Sequence, residues 1–386
     1  MPAHAAMGPL LPSIPVLCGN GARVADRSEL LKTRRLIVKI GSRTIASDPA
    51  FPARLARQVA DLAAQKCGAV VVTSGAIALG WSRLGYKAKP KEVALLQASA
   101  AAGQSVLMRR YDEAFGELGL TPAQVLLSYA DLADRERLNN AREALGALLD
   151  AGAVPIVNEN DTVATDEIRF GDNDQLASMV VPLVSADLLV LLTDVEGVLD
   201  ANGVRIPTMT ADAQMVVLEA RADRMGSGGM ASKVDAARKA TRSGAQVVIA
   251  QAGRPNVLNE IVAGEDVGTL FPRLGLPLKA RKHWIAFTLR PKGTLFLDDG
   301  AVRIMREGKS SLLPIGVVGV SGEFNAGDAV RLVALDGTEV ARGLTRLGTA
   351  DAARAAGKKG EALEASFGDA ASELVVVHKD DLVLSA

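Results

Sequence analysis

Three short clusters in this sequence supply cations, hydroxyls and backbone amides in a way that suits an anionic substrate. Lys39 ends the apolar run Leu36-Ile37-Val38 and is followed by Ile40, Gly41 and Ser42. A strand ending there brings its ammonium out at the carboxyl edge of a sheet, where open α/β folds bind ligands. A lysine snorkelling from a strand end is the plainer explanation. Thr73-Ser74-Gly75-Ala76 follows a second Val-rich run and opens a helical segment, which aims free N–H groups and a hydroxyl at an anion. An ordinary Ser N-cap uses the same residues. Gly226-Ser227-Gly228-Gly229-Met230-Ala231-Ser232-Lys233 is more specific. Its glycines let the backbone wrap an oxyanion, a helix starts there, and Lys233 leans back toward that helix's N-terminus. The alternative is an ordinary Gly-rich loop ending in a helix cap. It is not a P-loop, because the order GxxxxGK[ST] is missing, and Gly308-Lys309-Ser310 fails the same test, with Arg303 where glycine is required.

The densest polar stretch is Asn158-Glu159-Asn160-Asp161 followed by Gly171-Asp172-Asn173-Asp174. Surface turns also use Asn, Asp and Gly, but two such groups bracketing Asp166, Glu167 and Arg169 point to a site. It is not an EF-hand: with Asp172 as first ligand, Ala177 stands where glycine is needed. The three histidines, His4, His283 and His378, lie outside every cluster, which disfavours a His-based triad or a zinc hydrolase. What remains is an anion site with two lysines and several acids. Phosphoryl transfer needs mainly positioning and charge neutralisation. A carboxylate acceptor, with a reference pKa near ~4.3, is already ionised at neutral pH and requires no general base.

The elements that must hold these residues alternate. Short apolar runs at 36–40, 69–74, 123–128, 153–158, 187–194 and 245–251 read as strands buried on both faces. Helical periodicity covers 52–65, 91–117, 135–150, 174–184 and 230–243, with Gly244 as a C-terminal cap. The pattern predicts a three-layer α/β/α sandwich with a mostly parallel sheet, ending near residue 272. A basic linker, 273–292, follows, with six Lys and Arg and no acid. Strand-like segments at 293–298, 328–335, 339–347 and 373–384 then predict a small C-terminal β-barrel over 293–386. A chain ending near residue 280 is therefore expected to fold and act alone. Residues 1–33 read as a loose extension and a poor signal peptide, with Met7 as an alternative start. No apolar window reaches the ~18 residues that span a bilayer. The two cysteines, Cys18 and Cys67, fit a reducing, cytoplasmic compartment, and 44 Lys and Arg balance 44 Asp and Glu, so a global nucleic-acid charge signature is absent.

The segments VKIGS (38–42), VTSGAIALG (72–80), VNENDTVATDEIRFGDND (157–174), LLTDVEGVL (191–199) and GSGGMASK (226–233) together resemble the glutamate 5-kinase family, a branch of the amino-acid kinases. The resemblance covers roughly residues 35–386; GKSSLLPIGV (308–317) and VVVHKDDLVL (375–384) make the C-terminal portion similar to a PUA domain. It implies ATP-dependent phosphorylation of the L-glutamate γ-carboxylate, with Mg2+ bridging the phosphates. By motif, Lys39 and Lys233 stabilise the transferring group and Asp174 orients them. Ser74, Asp161 and Asn173 match glutamate-binding positions. Thr193, Asp194 and the run Ser227, Gly228, Gly229, Met230, Ala231, Ser232 and Lys233, together with Lys39, match nucleotide-binding ones. The resemblance also implies a homo-oligomer, feedback inhibition by proline and hand-over to γ-glutamyl phosphate reductase. Two other readings stay open. Kinases of acetylglutamate, aspartate or nucleoside monophosphates share the lysines. A PUA-type RNA-binding factor is disfavoured by 10 Lys and Arg against 14 Asp and Glu from residue 293 onward.

Overall fold

Leu36, Ile37 and Val38 are completely buried and show no polar alternation, which a strand achieves only between two covering layers. The computed structural model, which describes residues 27–164, 173–200, 202–209, 229–274, 278–308 and 310–385, supplies both layers. The strands are β1 (Arg35–Lys39), β2 (Gly68–Val72), β3 (Pro122–Leu127), β4 (Val154–Glu159), β5 (Leu188–Thr193), β6 (Gln246–Gln251) and β7 (Thr269–Phe271). They form one sheet in the order β3-β4-β2-β1-β5-β6-β7, parallel except for the edge strand β7. The helices are α1 (Ser42–Ser47), α2 (Phe51–Ala64), α3 (Ala76–Gly80), α4 (Val93–Gly116), α5 (Tyr129–Ala133), α6 (Arg135–Asp150), α7 (Asn173–Val184), α8 (Met230–Arg242) and α9 (Val257–Val262). Leu36 and Val38 pack with α2, α4 and α9, whereas Ile37 packs with α5 to α8. The strand order reverses at β1 and β5, so the crevice beyond their carboxyl ends is where this topology offers a ligand site.

The strand and long-helix expectations match these elements to within about two residues at each end, the usual scatter of boundaries. The short helices α1, α3 and α5 and the three-residue β7 carry too few residues for a periodic signal. The expected extension differs in its last part. Arg27 donates to the carbonyls of Val267 (2.9 Å), Glu265 (2.9 Å) and Pro207 (2.8 Å), and Leu30 is buried, so residues 27–33 dock on the β7 edge. Residues 1–26, with Met7 and Cys18, lie outside the described residues.

A second sheet begins at Gly293, with strands β8 (Gly293–Leu297), β9 (Val317–Gly322), β10 (Ala329–Ala334), β11 (Glu339–Thr345) and β12 (Val377–Leu384) in the order β12-β11-β10-β8-β9. It has its own core, centred on Leu295, Val330, Leu332 and Ala341. The expected linker is partly an ordered arm: a helical turn, Ala280–His283, runs into a π-helical turn, Trp284–Thr288. Trp284 Nε1 donates to Leu132 O at 2.8 Å and its ring packs on the α5–α8 layer. The Tyr129 hydroxyl donates to Thr288 O.

The arm revises the expected cut near residue 280. A chain ending there loses Trp284 from the kinase layer, and removing a large aromatic from a packed face costs roughly 3 kcal/mol or more. A chain ending at Lys292 keeps it. The shorter chain is expected to melt well below the longer one in a thermal scan; matching melting temperatures would show that the arm belongs energetically to the C-terminal sheet.

Candidate active site

Alternation along β1 decides which way Lys39 points. Side chains two apart share a face, so Lys39 follows Ile37 toward α7 and α8. There its Nζ lies 2.7 Å from Asp174 Oδ1, at the start of α7. Lys233 Nζ, from the first turn of α8, lies 3.0 Å from Oδ2 of the same carboxylate. The side chains of Lys39, Lys233 and Asp174 are only 6%, 8% and 0% exposed. Burial pushes the Asp174 carboxyl up, but the two ammoniums outweigh it and hold the group below its ordinary value of 3.8. Two ammoniums and one carboxylate thus meet in a nearly water-free setting at the sheet edge, an arrangement that suits an anionic group in transit.

On one side of the triad lie the residues expected to meet glutamate. Asn173 spends its amide protons on Thr73 O and on Asn158 Oδ1 (2.8 Å). Asn158 in turn donates to Gln104 Oε1 at 2.9 Å. Thr73 alternates to the opposite face of β2, where its hydroxyl meets the Tyr111 hydroxyl at 2.8 Å in a fully buried contact. Gly75, at φ 108°, turns the chain through the left-handed region, which glycine adopts without a Cβ penalty, and so presents Ser74 at the edge. Asp161 sits in a tight turn closed by Asn160 O accepting from Val163 N (3.1 Å) and Ala164 N (3.2 Å). It is partly buried; burial pushes its carboxyl up to about 6, against the opposing pull of Lys89.

On the other side, across the β1/β5 crevice, Thr193 Oγ1 donates to Asp194 Oδ1 at 3.1 Å, and Arg43 Nη1 lies 2.5 Å from Asp194 Oδ2. Gly229 caps α8, followed by Met230, Ala231 and Ser232 in its first turn. Gly41 and Gly229 have φ of −77° and −73°, values any residue adopts, and among the described residues a Cβ on either meets nothing within 4 Å. Two glycines with no conformational duty, each at a helix N-terminus, suit the close approach of phosphate oxygens. Ser227 and Gly228 lie outside the described residues, as do Asp166, Glu167, Arg169, Gly171 and Asp172.

Sequence reasoning missed Arg43, Lys89, Gln104, Tyr111 and the support role of Thr73. Arg43 directly follows the VKIGS motif, and that position was the available signal. Tyr111 and Gln104 read only as helix-face residues until α4 is placed against β2.

Residues 34–251 match the amino acid kinase family and residues 293–367 the PUA domain. Glutamate 5-kinase from Chromohalobacter salexigens is 44% identical over 377 residues, covering 93% of this chain and 98% of its own. Glutamate 5-kinase from Pseudomonas entomophila is 45% identical over 377 residues, covering 93% and 100%. Among solved structures, N-acetylglutamate synthase from Neisseria gonorrhoeae, complexed with coenzyme A and N-acetyl-glutamate, is 17% identical with a TM-score of 0.48, covering 65% of this chain and 63% of that one. Near-complete coverage at this identity, with a kinase match over the parallel sheet that carries the two-lysine site, means that the chain belongs to the glutamate 5-kinase family of amino acid kinases.

Proposed function

We infer that this protein transfers the γ-phosphoryl group of ATP to the γ-carboxylate of L-glutamate, giving γ-glutamyl phosphate for proline synthesis. The observation that carries this reading is the buried Lys39–Asp174–Lys233 triad, set between the Asp161, Asn173 and Ser74 side and the Thr193 and Asp194 side of one crevice. An oxygen of the γ-carboxylate forms a bond to the γ-phosphorus while the bond from that phosphorus to the β–γ bridging oxygen breaks, and its electron pair leaves with ADP. Lys39 and Lys233 neutralise charge on the group in transit, and Asp174 holds both ammoniums in place beforehand. The acceptor is already ionised, so no side chain has to remove a proton.

Among the described residues no group of three or more His, Cys, Asp or Glu could hold a metal ion. Mg2+ would be held on the nucleotide's phosphates, a common arrangement for this ion, and would neutralise part of their charge. No helix among the described residues is long and apolar enough to cross a membrane. The same reading places the reaction in the cytoplasm and carries a homo-oligomer, inhibition by proline and hand-over to γ-glutamyl phosphate reductase. ATP- and glutamate-dependent hydroxamate formation tests the activity, since hydroxylamine traps acyl phosphates. Acetylglutamate, aspartate and nucleoside monophosphates serve as competing acceptors, and preference for any of them overturns the assignment.

Asp161 supplies a pH test. The glutamate ammonium pairs only with the carboxylate, so protonation weakens binding. In the free enzyme kcat/KM for glutamate is expected to rise with pH through about 6 and then level. The substrate's own γ-carboxyl titrates lower, near ~4.3, and does not mask that limb. Asp161→Asn should raise the glutamate KM, abolish the limb and leave ATP binding nearly unchanged. A limb that persists in the variant, or weakened ATP binding, assigns this turn to another role.

A further inference from the structure

Helix α8 presents Lys233 from its first turn, and its far end is held from outside the sheet. A helix leaves its last four carbonyls without intrahelical donors. In α8 these belong to Lys239, Ala240, Thr241 and Arg242. Ser243 N donates to Ala240 O (2.9 Å) and Gly244 N to Thr241 O (3.1 Å), whereas Leu278 N, in the arm, donates to Arg242 O (2.9 Å). The remaining carbonyl, Lys239 O, lies 3.1 Å from Nε2 of His283. A carbonyl only accepts, so Nε2 carries the ring proton. Burial pulls the His283 ring down to about 4, so the imidazole stays neutral at working pH. Phe287 packs on this ring at 4.8 Å, and the Arg242 guanidinium sits 5.7 Å over Phe287.

The opposite face of the same arm is gripped by the second sheet. Ile285 and Ala286 are buried with Val383, Arg342 Nη1 donates to Ala286 O at 3.1 Å, and Arg281 pairs with Asp381 at 2.6 Å. The arm therefore touches the lysine-bearing helix on one side and the C-terminal sheet on the other.

We propose that His283 is a positioning residue for phosphoryl transfer: its bond to Lys239 O fixes α8 along its axis, and through it the C-terminal sheet sets where Lys233 meets Asp174. The proposal rests on the kinase reading above. Six residues, or about 9 Å of helix, separate Lys233 from Lys239, and a helix this short moves as a rod. Gln175, which donates to Asp235 Oδ2 (2.9 Å) and accepts from Lys239 Nζ (2.7 Å), holds α7 and α8 side by side; the arm supplies the axial stop. Misplacing a reacting group by 1 Å can cost as much as ~10²-fold, so a partial slip is expected to cost about tenfold.

The test uses the full chain in the hydroxamate assay, with melting temperatures alongside. His283→Phe keeps a ring against Phe287 and removes the donor. It should lower kcat about tenfold while the glutamate KM stays within about twofold. His283→Gln places an amide nitrogen near the Nε2 position and should recover most of the lost kcat. Asp381→Ala, far from substrate, should lower kcat in the same direction and combine with His283→Phe less than multiplicatively. Wild-type kcat in a folded His283→Phe, or a His283→Gln as impaired as the phenylalanine variant, overturns the proposal. If His283→Phe does not fold, the decision passes to Asp381→Ala, whose unchanged kcat also overturns it. An inactive wild type overturns the kinase reading and this proposal together, whereas an active wild type with unaffected variants overturns this one alone.

Discussion

Lys233→Ala is expected to lower kcat by ~10²–10³, the scale for losing one preorganised charge-stabilising donor. Lys39→Ala should do the same, because the two ammoniums share one carboxylate at 2.7 and 3.0 Å and approach the crevice from different elements. The glutamate KM should stay near its wild-type value, since the proposed ammonium partner, Asp161, is untouched. Stability should move little. Removing one lysine leaves the other paired with Asp174, so the buried carboxylate keeps a cation. Asp174→Asn behaves differently. It strips both buried ammoniums of their shared anion, so kcat and melting temperature should fall together, the latter on the 3–5 kcal/mol scale of a broken buried pair. The acid limb has a fixed sign: Asp174 is held below its ordinary 3.8 in the fold, so its stabilisation is complete above that value and is lost as acid protonates it. Turnover within a few-fold of wild type in either lysine variant would remove these residues from the transferring group.

Gly103→Ala is the second large effect, and it acts through packing. A Cβ at Gly103 would stand 1.8 Å from Ala76 O and 2.8 Å from Gly80 N; one at Gly80 would stand 1.8 Å from Ser99 O. Backbone meets backbone where α3 crosses α4, so no rotamer relieves the overlap and the helices must separate. Overpacking of this kind typically costs roughly 1–3 kcal/mol, occasionally more, and at the upper end lowers Tm by about 6–12 °C in a unit of this size. Because α3 begins immediately after Ser74 and Gly75, the glutamate KM should rise as well. Gly146→Ala is the control. Gly146 lies within α6 with nothing within 4 Å of its Cβ position, so alanine there should be neutral or stabilising by about 0.5–1 kcal/mol. Equal melting temperatures for the two variants would show that the α3/α4 contact has room to relax.

The sheet and its long helices were readable from the chain alone because their signal is local. Val and Ile runs without alternation, such as Leu36–Val38 and Leu188–Leu192, state that both faces are covered, and periodicity over a dozen residues states a helix. The same alternation puts Lys39 on the face of Ile37 before any neighbour is known. The glycines of the 226–233 motif and the Asn and Asp groups at 158–161 and 171–174 likewise announce chemistry through residue type and spacing.

Pattern does not encode strand order, and strand order brings Asp174 between Lys39 and Lys233, residues separated by 135 and 59 positions in the chain. The family resemblance named Asp174 for the lysines; which wall Tyr111 and Gln104 support, and that Arg43 reaches Asp194, depend on how distant elements pack. The basic stretch 273–292 shows the limit from the other direction. Its composition reads as a solvated linker, yet Trp284, Ile285 and His283 find apolar surface on both sheets, and burying that surface outweighs the lysines and arginines that remain at its edge.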